Sequence, residues 1–479
     1  MNRTFLATQP LLAANREQDA PIYLQLYRRY RQAIAAGELR PGDRVPSVRS
    51  LASELNLARG TVEMAYQMLA TEGYLVARGA AGTVVSPRLA NLAGPRRAKG
   101  TALPVREPPC PPIAAGRALP FQLGLPALDA FPRKTWARVA GRKLRALEMT
   151  AMGYLDPAGY EPLRRAVAAY LGISRGIACA HEQVFITAGY RGALELAHRA
   201  LLQPGDLGWY EDPGYMLARQ FLERAGLRLT PVPVDEEGLN VDIGQRRAAD
   251  ARFAVVTPTH QSPMGMAMSL PRRLELLEWA NHRRAWIIED DYDSEFRYHG
   301  RPLPALKSLD RNERVLYTGT FSKVLLPGLR LAYLVVPASH IERFTDVANH
   351  LPGPGSIQPQ ATVADFMEHG HFARHLRNMR VLYAARRGYL ADALAQTLGE
   401  LLHVQLQAGG MHVLARLKTR QNDKALASSA NAIGLAVQAL GDWRMRKSST
   451  PGGLLMGYAN FATAEEAAAS VRRLRDVLK

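Results

Sequence analysis

Apolar residues recur at helical spacing over three short stretches early in the chain. Ile22, Leu26, Tyr30, Ala33 and Ile34 line one face of a helix over 22–36, which Gly37 stops. After a turn at Leu39, Arg40, Pro41 and Gly42, Pro46 and Ser47 open a second helix over 48–55, with Ser47 as its N-cap. A third helix, 59–71, carries Val62, Ala65, Tyr66 and Leu69 on one face. Residues 74–77 and 83–85 flank a tip with Gly79 and Gly82 and read as a β-hairpin. The period then vanishes over 87–116, which holds Pro104, Pro108, Pro109, Pro111 and Pro112. Such a stretch favours an extended spacer of about 3.1 Å per residue. From 118 the pattern alternates. Amphipathic stretches at 137–147, 163–171 and 272–280 alternate with short apolar runs at 183–187, 253–257, 285–288, 315–317 and 331–336. That pattern predicts an α/β domain with a mainly parallel sheet. The last hundred or so residues read as a smaller α+β unit. The expected organisation is a small domain over 17–86, a Pro-rich basic linker over 87–117, and a large domain over 118–479 whose smaller subdomain begins at about 365.

Composition adds a partner class. At 479 residues and 47% hydrophobic content, the chain is too long for one core and too apolar for a disordered polymer. Lys and Arg outnumber Asp and Glu by 61 to 43, a net charge of +18 that favours a polyanionic partner. Two cysteines, Cys110 and Cys179, cannot make a disulfide framework or a structural zinc site, and no metal is expected. The N-terminal residues have no sustained apolar core, so no signal peptide is read. No apolar run approaches the roughly 18 residues of a membrane helix. A cytoplasmic protein with no membrane partner is expected.

Two short helices across a tight turn are the helix-turn-helix signature, and the hairpin behind them is a wing. The later of the two helices would lie in the major groove of double-stranded DNA. Arg49 opens the second helix; Arg59, Gly60 and Thr61 open the third, where side chains reach base edges and backbone amides meet phosphate. Arginine pairs bidentately with guanine. Arg78, at the wing, could reach a neighbouring groove. The plainer alternative is a solvated basic face. The stretch RPGDRVPSVRSLASELNLARGTVEMAYQMLATEGYLVARGAAGTVV resembles the winged helix-turn-helix of the GntR family of bacterial regulators, over residues 21–86. It departs at Ala58-Arg59, where that family commonly has Ser-Arg.

The large domain carries a second chemistry. In AWIIEDDYDSEF (285–296) an apolar strand runs into Glu289, Asp290 and Asp291, at the strand end where α/β folds bind ligands. Asp290 and Tyr292 point to one side and Asp291 to the other. RVLYTGTFSKVLLPGLRLAYLVV (314–336) gathers Thr320, Ser322, Lys323 and Arg330 at a strand end. Pyridoxal phosphate needs such a set: a lysine for a Schiff base, an aspartate for the pyridine nitrogen, hydroxyls and an arginine for the phosphate. Residues 118–479 resemble a fold-type I aminotransferase. The resemblance implies Lys323 as the Schiff-base lysine, Asp290 at the pyridinium nitrogen, Tyr292 on the phenolic oxygen, and Arg330 with Thr320 and Ser322 at the phosphate. From EDPGY (211–215) it implies Tyr215 stacked on the ring. From TAGYRGAL (187–194) it implies phosphate-binding amides near Tyr190 and Arg191. From GYLDPAG (153–159) it implies that Tyr154 reaches the neighbouring subunit's phosphate. TPTHQSPMG (257–265) departs from the usual Asn-Pro-x-Gly, the asparagine position falling on Ser262 or Gln261. The usual substrate-carboxylate arginine aligns with Gly453, leaving Arg444 and Arg446 as nearby candidates. His260 and His412 read as ordinary structural histidines.

Together the two parts resemble the MocR/GabR class of bacterial regulators. That resemblance implies a head-to-tail homodimer whose signal is pyridoxal phosphate or its adduct with an amine, and at most low residual transaminase activity. The alternative is a working aminotransferase that carries a DNA-binding domain. The effector stays open between the cofactor itself and an amine such as GABA, taurine or D-alanine.

Overall fold

The computed structural model describes residues 20–79, 82–91, 118–149, 153–300, 303–447 and 450–478. It divides into two compact units, Met1–Cys110 and Pro111–Lys479. The expected linker lies outside the described residues from position 92 onward.

In the first unit α1 (Ile22–Ala35), α2 (Val48–Glu54) and α3 (Arg59–Thr71) precede an antiparallel hairpin of β1 (Leu75–Ala77) and β2 (Thr83–Val85), in register Leu75↔Val85. The helices form because each turns an apolar stripe inward: Leu26, Tyr30, Leu51, Val62 and Leu69 are all at most 1% exposed, and Val85 of β2 closes the same core. The Ser47 hydroxyl caps α2 by accepting from Ser50 N at 3.0 Å. The Tyr66 hydroxyl donates to Pro46 O at 2.9 Å and lies 3.1 Å from the Tyr30 hydroxyl, tying α1 and α3 to the turn before α2. One boundary shifts. Pro87–Asn91 form a 3-10 turn, and Leu89 packs on this core. Burying that side chain draws the first residues of the expected linker into the small unit.

The second unit is built on an eight-stranded sheet. Its strands are β3 (Val184–Thr187), β4 (Leu207–Asp212), β5 (Arg228–Asp235), β6 (Gly238–Leu239), β7 (Phe253–Val256), β8 (Trp286–Asp291), β9 (Val315–Thr320) and β10 (Ala332–Val335), in the order β3-β10-β9-β8-β7-β4-β5-β6. From β9 to β5 the pairings are parallel; β10 runs antiparallel between β9 and β3. β7 and β8 are buried along their whole length, which is why they read as unbroken apolar runs rather than as alternation. Flanking helices include α4 (Arg133–Arg145), α5 (Glu161–Arg175) and α6 (Tyr190–Leu201).

A four-stranded antiparallel sheet completes the unit: β11 (Leu402–Val404), β12 (His412–Leu417), β13 (Gln438–Ala439) and β14 (Gly453–Gly457), in the order β11-β12-β14-β13. The smaller subdomain is not confined to the C-terminal residues. Pro120 O accepts from Ala436 N at 2.8 Å and Phe121 O from Gly457 N at 2.9 Å, while the Phe121 ring meets Phe461 edge-on. The start of the large domain therefore crosses over and docks on its end, because a buried Phe121 needs the apolar floor of the small sheet. Among the described residues no helix is long and apolar enough to cross a membrane.

Candidate nucleic-acid interface and cofactor site

In the first unit Arg49, Arg59, Gly60 and Arg78 are exposed and Thr61 half-buried, on the ends of α2 and α3 and on the wing. Ala58 precedes α3 and offers no side-chain cap, so the first amides of that helix remain open to an oxygen from outside. The wing tip closes through Arg78 N donating to Gly82 O at 2.8 Å. Gly82 has φ +84°, and a Cβ there would come within 2.9 Å of the Arg44 guanidinium. Arg44 also bridges to Val84. It stands at the wing with Arg78; it sits in a turn without period, so no pattern in the sequence singled it out.

In the second unit the end of β8 sorts its acids by face. Asp291 receives Arg175 Nη2 at 2.7 Å and the Tyr317 hydroxyl at 2.6 Å. Glu289, fully buried, accepts from the amides of Leu306 and Lys307, each at 2.8 Å. Asp290 turns to the other side, toward Tyr190. Burial pushes its carboxyl up to about 7, with the Tyr190 hydroxyl pulling the other way. Beside this floor the Tyr215 ring stands 6.4 Å from Tyr190 and 5.7 Å from Trp443, its carbonyl held by the Tyr210 hydroxyl at 2.6 Å.

The neighbouring strand ends bring an amine and an anion cradle. β9 pairs with β8 at Thr318↔Asp290, and both Thr320 and Thr187 pair with Ala332 of β10. Thr320 accepts from Ser322 N at 3.1 Å and opens the short turn that carries Lys323. Lys323 Nζ donates to Gly124 O at 2.8 Å. Gly189, with φ +78°, starts α6, whose first turn closes only from Gly192 N onward; a Cβ on Gly189 would lie 3.3 Å from Arg330 Nη2. The Tyr190 and Arg191 amides, Thr320, Ser322 and Arg330 thus form a cradle fit for a phosphate. The Arg191 side chain itself is exposed. A buried carboxyl, a tyrosine hydroxyl, a lysine amine and this cradle match, group for group, what pyridoxal phosphate presents.

The remaining positions singled out in the sequence are placed as follows. Tyr154 is fully exposed and lines an open cleft of about 640 Å³ with Pro157, Leu351 and Pro354. Gln261 braces the fold instead of lining the site: its amide donates to Glu211 at 2.9 Å and to Pro213 O at 3.0 Å. Ser262 stands against Tyr292. Gly453 pairs with Arg416 across the small sheet, and β14 (GLLMG) carries no arginine. The Arg444 guanidinium is held by Thr450 at 2.7 Å, and Arg446 is exposed. The sequence reading missed the pairing of His260 with His412, whose rings lie 5.8 Å apart beside Tyr292.

A winged helix-turn-helix and a fold-type I aminotransferase domain on one chain define a DNA-binding regulator with an aminotransferase-like second domain. Residues 22–85 match the family described as bacterial regulatory proteins, gntR family, and 127–444 that described as aminotransferase class I and II. The chain is 36% identical to the Probable rhizopine catabolism regulatory protein MocR of Rhizobium meliloti, over 94% of this chain and 92% of the relative. It is 33% identical to the HTH-type pyridoxine biosynthesis transcriptional regulator PdxR of Corynebacterium glutamicum, over 95% of each. Among solved structures, the α-aminoadipate aminotransferase LysN of Thermus thermophilus, complexed with N-(5'-phosphopyridoxyl)-L-leucine, superposes with a TM-score of 0.67. It is 30% identical and covers 75% of this chain and 92% of that one. The chain belongs to the MocR-type transcriptional regulators of the GntR family, with an aminotransferase class I and II domain.

Proposed function

We propose that this regulator reads its operator through Arg49, Arg59, Gly60, Thr61 and Arg78, and uses its aminotransferase domain to sense pyridoxal phosphate. The observation that carries the sensing half is the meeting of Lys323, Asp290 and the Gly189–Arg330 cradle at adjacent strand ends. When bound, the cofactor supplies an aldehyde that condenses with amines and an electron-withdrawing ring. Lys323 supplies the amine that holds it. Asp290 stabilises a proton on its ring nitrogen, Tyr292 meets its phenolic oxygen, and Tyr215 covers its face. Arg330, Thr320, Ser322 and the α6 amides hold its phosphate. Tyr154 and its cleft belong to a head-to-tail homodimer, in which that tyrosine serves the partner's phosphate. The effector is the cofactor itself rather than an amino acid. β14 offers no arginine to a substrate carboxylate, and a buried carboxylate without a cation is costly. The same gap argues for a sensor over an enzyme. Its signal then acts as a population shift, the cofactor favouring one domain arrangement over another.

Operator binding by the full chain, with and without pyridoxal phosphate and then with a panel of amines, tests this. Operator affinity is expected to differ between the apo and loaded forms and to ignore the amines. Lys323→Ala should lose the near-UV to visible band that borohydride otherwise traps, and the response with it. A saturable change in both spectrum and affinity with one amine would replace the cofactor-only reading and make Arg444 and Arg446 the first positions to mutate. Steady turnover of an amino-acid/keto-acid pair would mark an enzyme instead.

A further inference from the structure

We propose that His260 is a positioning residue of the cofactor site, aiming the Tyr292 hydroxyl from one ring edge and taking its own position from the small sheet at the other. This rests on the reading of Tyr292 as the partner of the cofactor's phenolic oxygen.

His260 is 8% exposed, in the segment between β7 and the helix Leu270–Arg283. Its Nδ1 lies 2.9 Å from Asp293 Oδ1 and 2.9 Å from the Tyr292 hydroxyl. A single ring nitrogen facing both a carboxyl and a phenol has two proton arrangements. If Nδ1 were bare, it would set a lone pair against the Asp293 oxygen. If Nδ1 carries the proton, it donates to Asp293 and to the tyrosine oxygen together. The second arrangement leaves the Tyr292 proton pointing away from His260, free to donate toward the ligand side, while the Ser262 hydroxyl stands against the same oxygen. Asp293 selects the tautomer, and the tautomer directs the hydroxyl. Packing alone would not call for this: an apolar ring would fill the same space.

The other ring edge is closed by Gly410, at the entry to the small sheet, and by Gly265 of His260's own segment. A Cβ on Gly410 would come within 2.2 Å of the imidazole, and one on Gly265 within 3.3 Å of Nε2. Gly410 leads into β12, whose first residue, His412, has its ring 5.8 Å away. Burial holds His412 down at about 4, so it is neutral, and its Nε2 donates to Pro263 O at 2.9 Å. Among the described residues, the titratable and charged groups that face His260 include Asp293 and Tyr292 after β8, Arg297 a few residues further on, His412 on β12, and Arg387 from the helix His371–Leu398. A shift of β12 would press on His260 through Gly410 and re-aim Tyr292. The hydroxyl is set jointly by the large sheet and the small one.

The experiment is a pH titration of the cofactor absorbance in the full-length protein loaded with pyridoxal phosphate, with operator affinity measured alongside. Tyr292→Phe should move the spectral midpoint by about one pH unit or more. His260→Gln, which lacks a donor at the Nδ1 position, should move it in the same direction and add nothing in the His260→Gln/Tyr292→Phe double variant. His260→Asn, which can place an amide N–H where Nδ1 stands, should restore most of the wild-type midpoint. Asp293→Asn, a weaker acceptor of the same shape, should shift the midpoint the same way and serves if the histidine variants fail to fold. A midpoint unmoved by His260→Gln or Asp293→Asn, or effects that add to Tyr292→Phe, would overturn the inference while leaving the cofactor site standing. A wild-type protein that shows no cofactor band at all would remove both.

Discussion

Arg59 stands on an uncapped helix end with its side chain in solvent, a place from which a guanidinium reaches a base edge. Arg59→Ala is expected to cost about 1–3 kcal/mol at the operator and to relax sequence preference there. Fluorescence anisotropy on matched and mismatched duplexes measures it; unchanged affinity would mean that α3 does not sit in the groove as proposed. At this scale the sequence was informative wherever side-chain direction follows from local backbone. Alternation along β8 is enough to send Asp290 and Asp291 to opposite faces, as found. It could say nothing about His260, whose partners lie 32 and 33 residues further along the chain and meet it only after β7 and β8 have paired.

Among the elements of the small unit, α3 starts on a residue that cannot cap it. Ala58 holds the N-cap position in extended conformation without a side-chain bond. Ala58→Ser should add that bond and stabilise the small unit by roughly 0.5–2 kcal/mol, a shift visible in its urea transition by circular dichroism. No shift would mean that the Ala58 backbone cannot present a hydroxyl to the α3 amides. In the large unit, β4 and β8 carry the buried acids Glu211 and Glu289, and burial pushes each up to about 7. Raised above the ordinary carboxylate value, these groups bind protons more tightly in the folded chain than in the unfolded one. Their contribution is full below the unfolded value of about 4.5 and is lost as pH rises through about 7. The urea midpoint of the large unit should therefore fall between about pH 5 and about pH 7.5, and Glu211→Gln should flatten part of that fall; a midpoint that rises over the same window would contradict the burial argument. β4 and β5 themselves escaped the sequence reading. β4 ends on charged residues, and β5 (RLTPVPVD) carries Pro231 and Pro233. Those prolines are tolerated because the outer side of β5 is paired only at Val234 and Asp235, by the two-residue β6.

For the whole molecule the relevant quantity is charge. The net +18 supplies sequence-independent attraction to DNA, and Arg96, Arg97 and Lys99 belong to the expected basic linker, outside the described residues. Replacing all three by Gln should lower the slope of log affinity against log salt by about 2–3 if each releases a counterion, while leaving sequence preference intact. An unchanged slope would remove that cluster from the DNA contact.

The sequence by itself determined the two-part design, the winged helix-turn-helix and the α/β class with its aminotransferase-like motifs. Each of these is written in local periodicity, in turn chemistry, or in motifs whose residues lie within a few positions of one another. Tertiary structure alone decided which distant strand ends meet, so that Asp290, the turn carrying Lys323, Gly189 and Arg330 stand at adjacent strand ends. It also decided that 118–122 would dock on the C-terminal sheet and that His260 would stand between Tyr292, Asp293 and Gly410. The physical reason is that these contacts are satisfied by burial and hydrogen bonding between segments far apart in the chain, and neither leaves a period or a spacing to read.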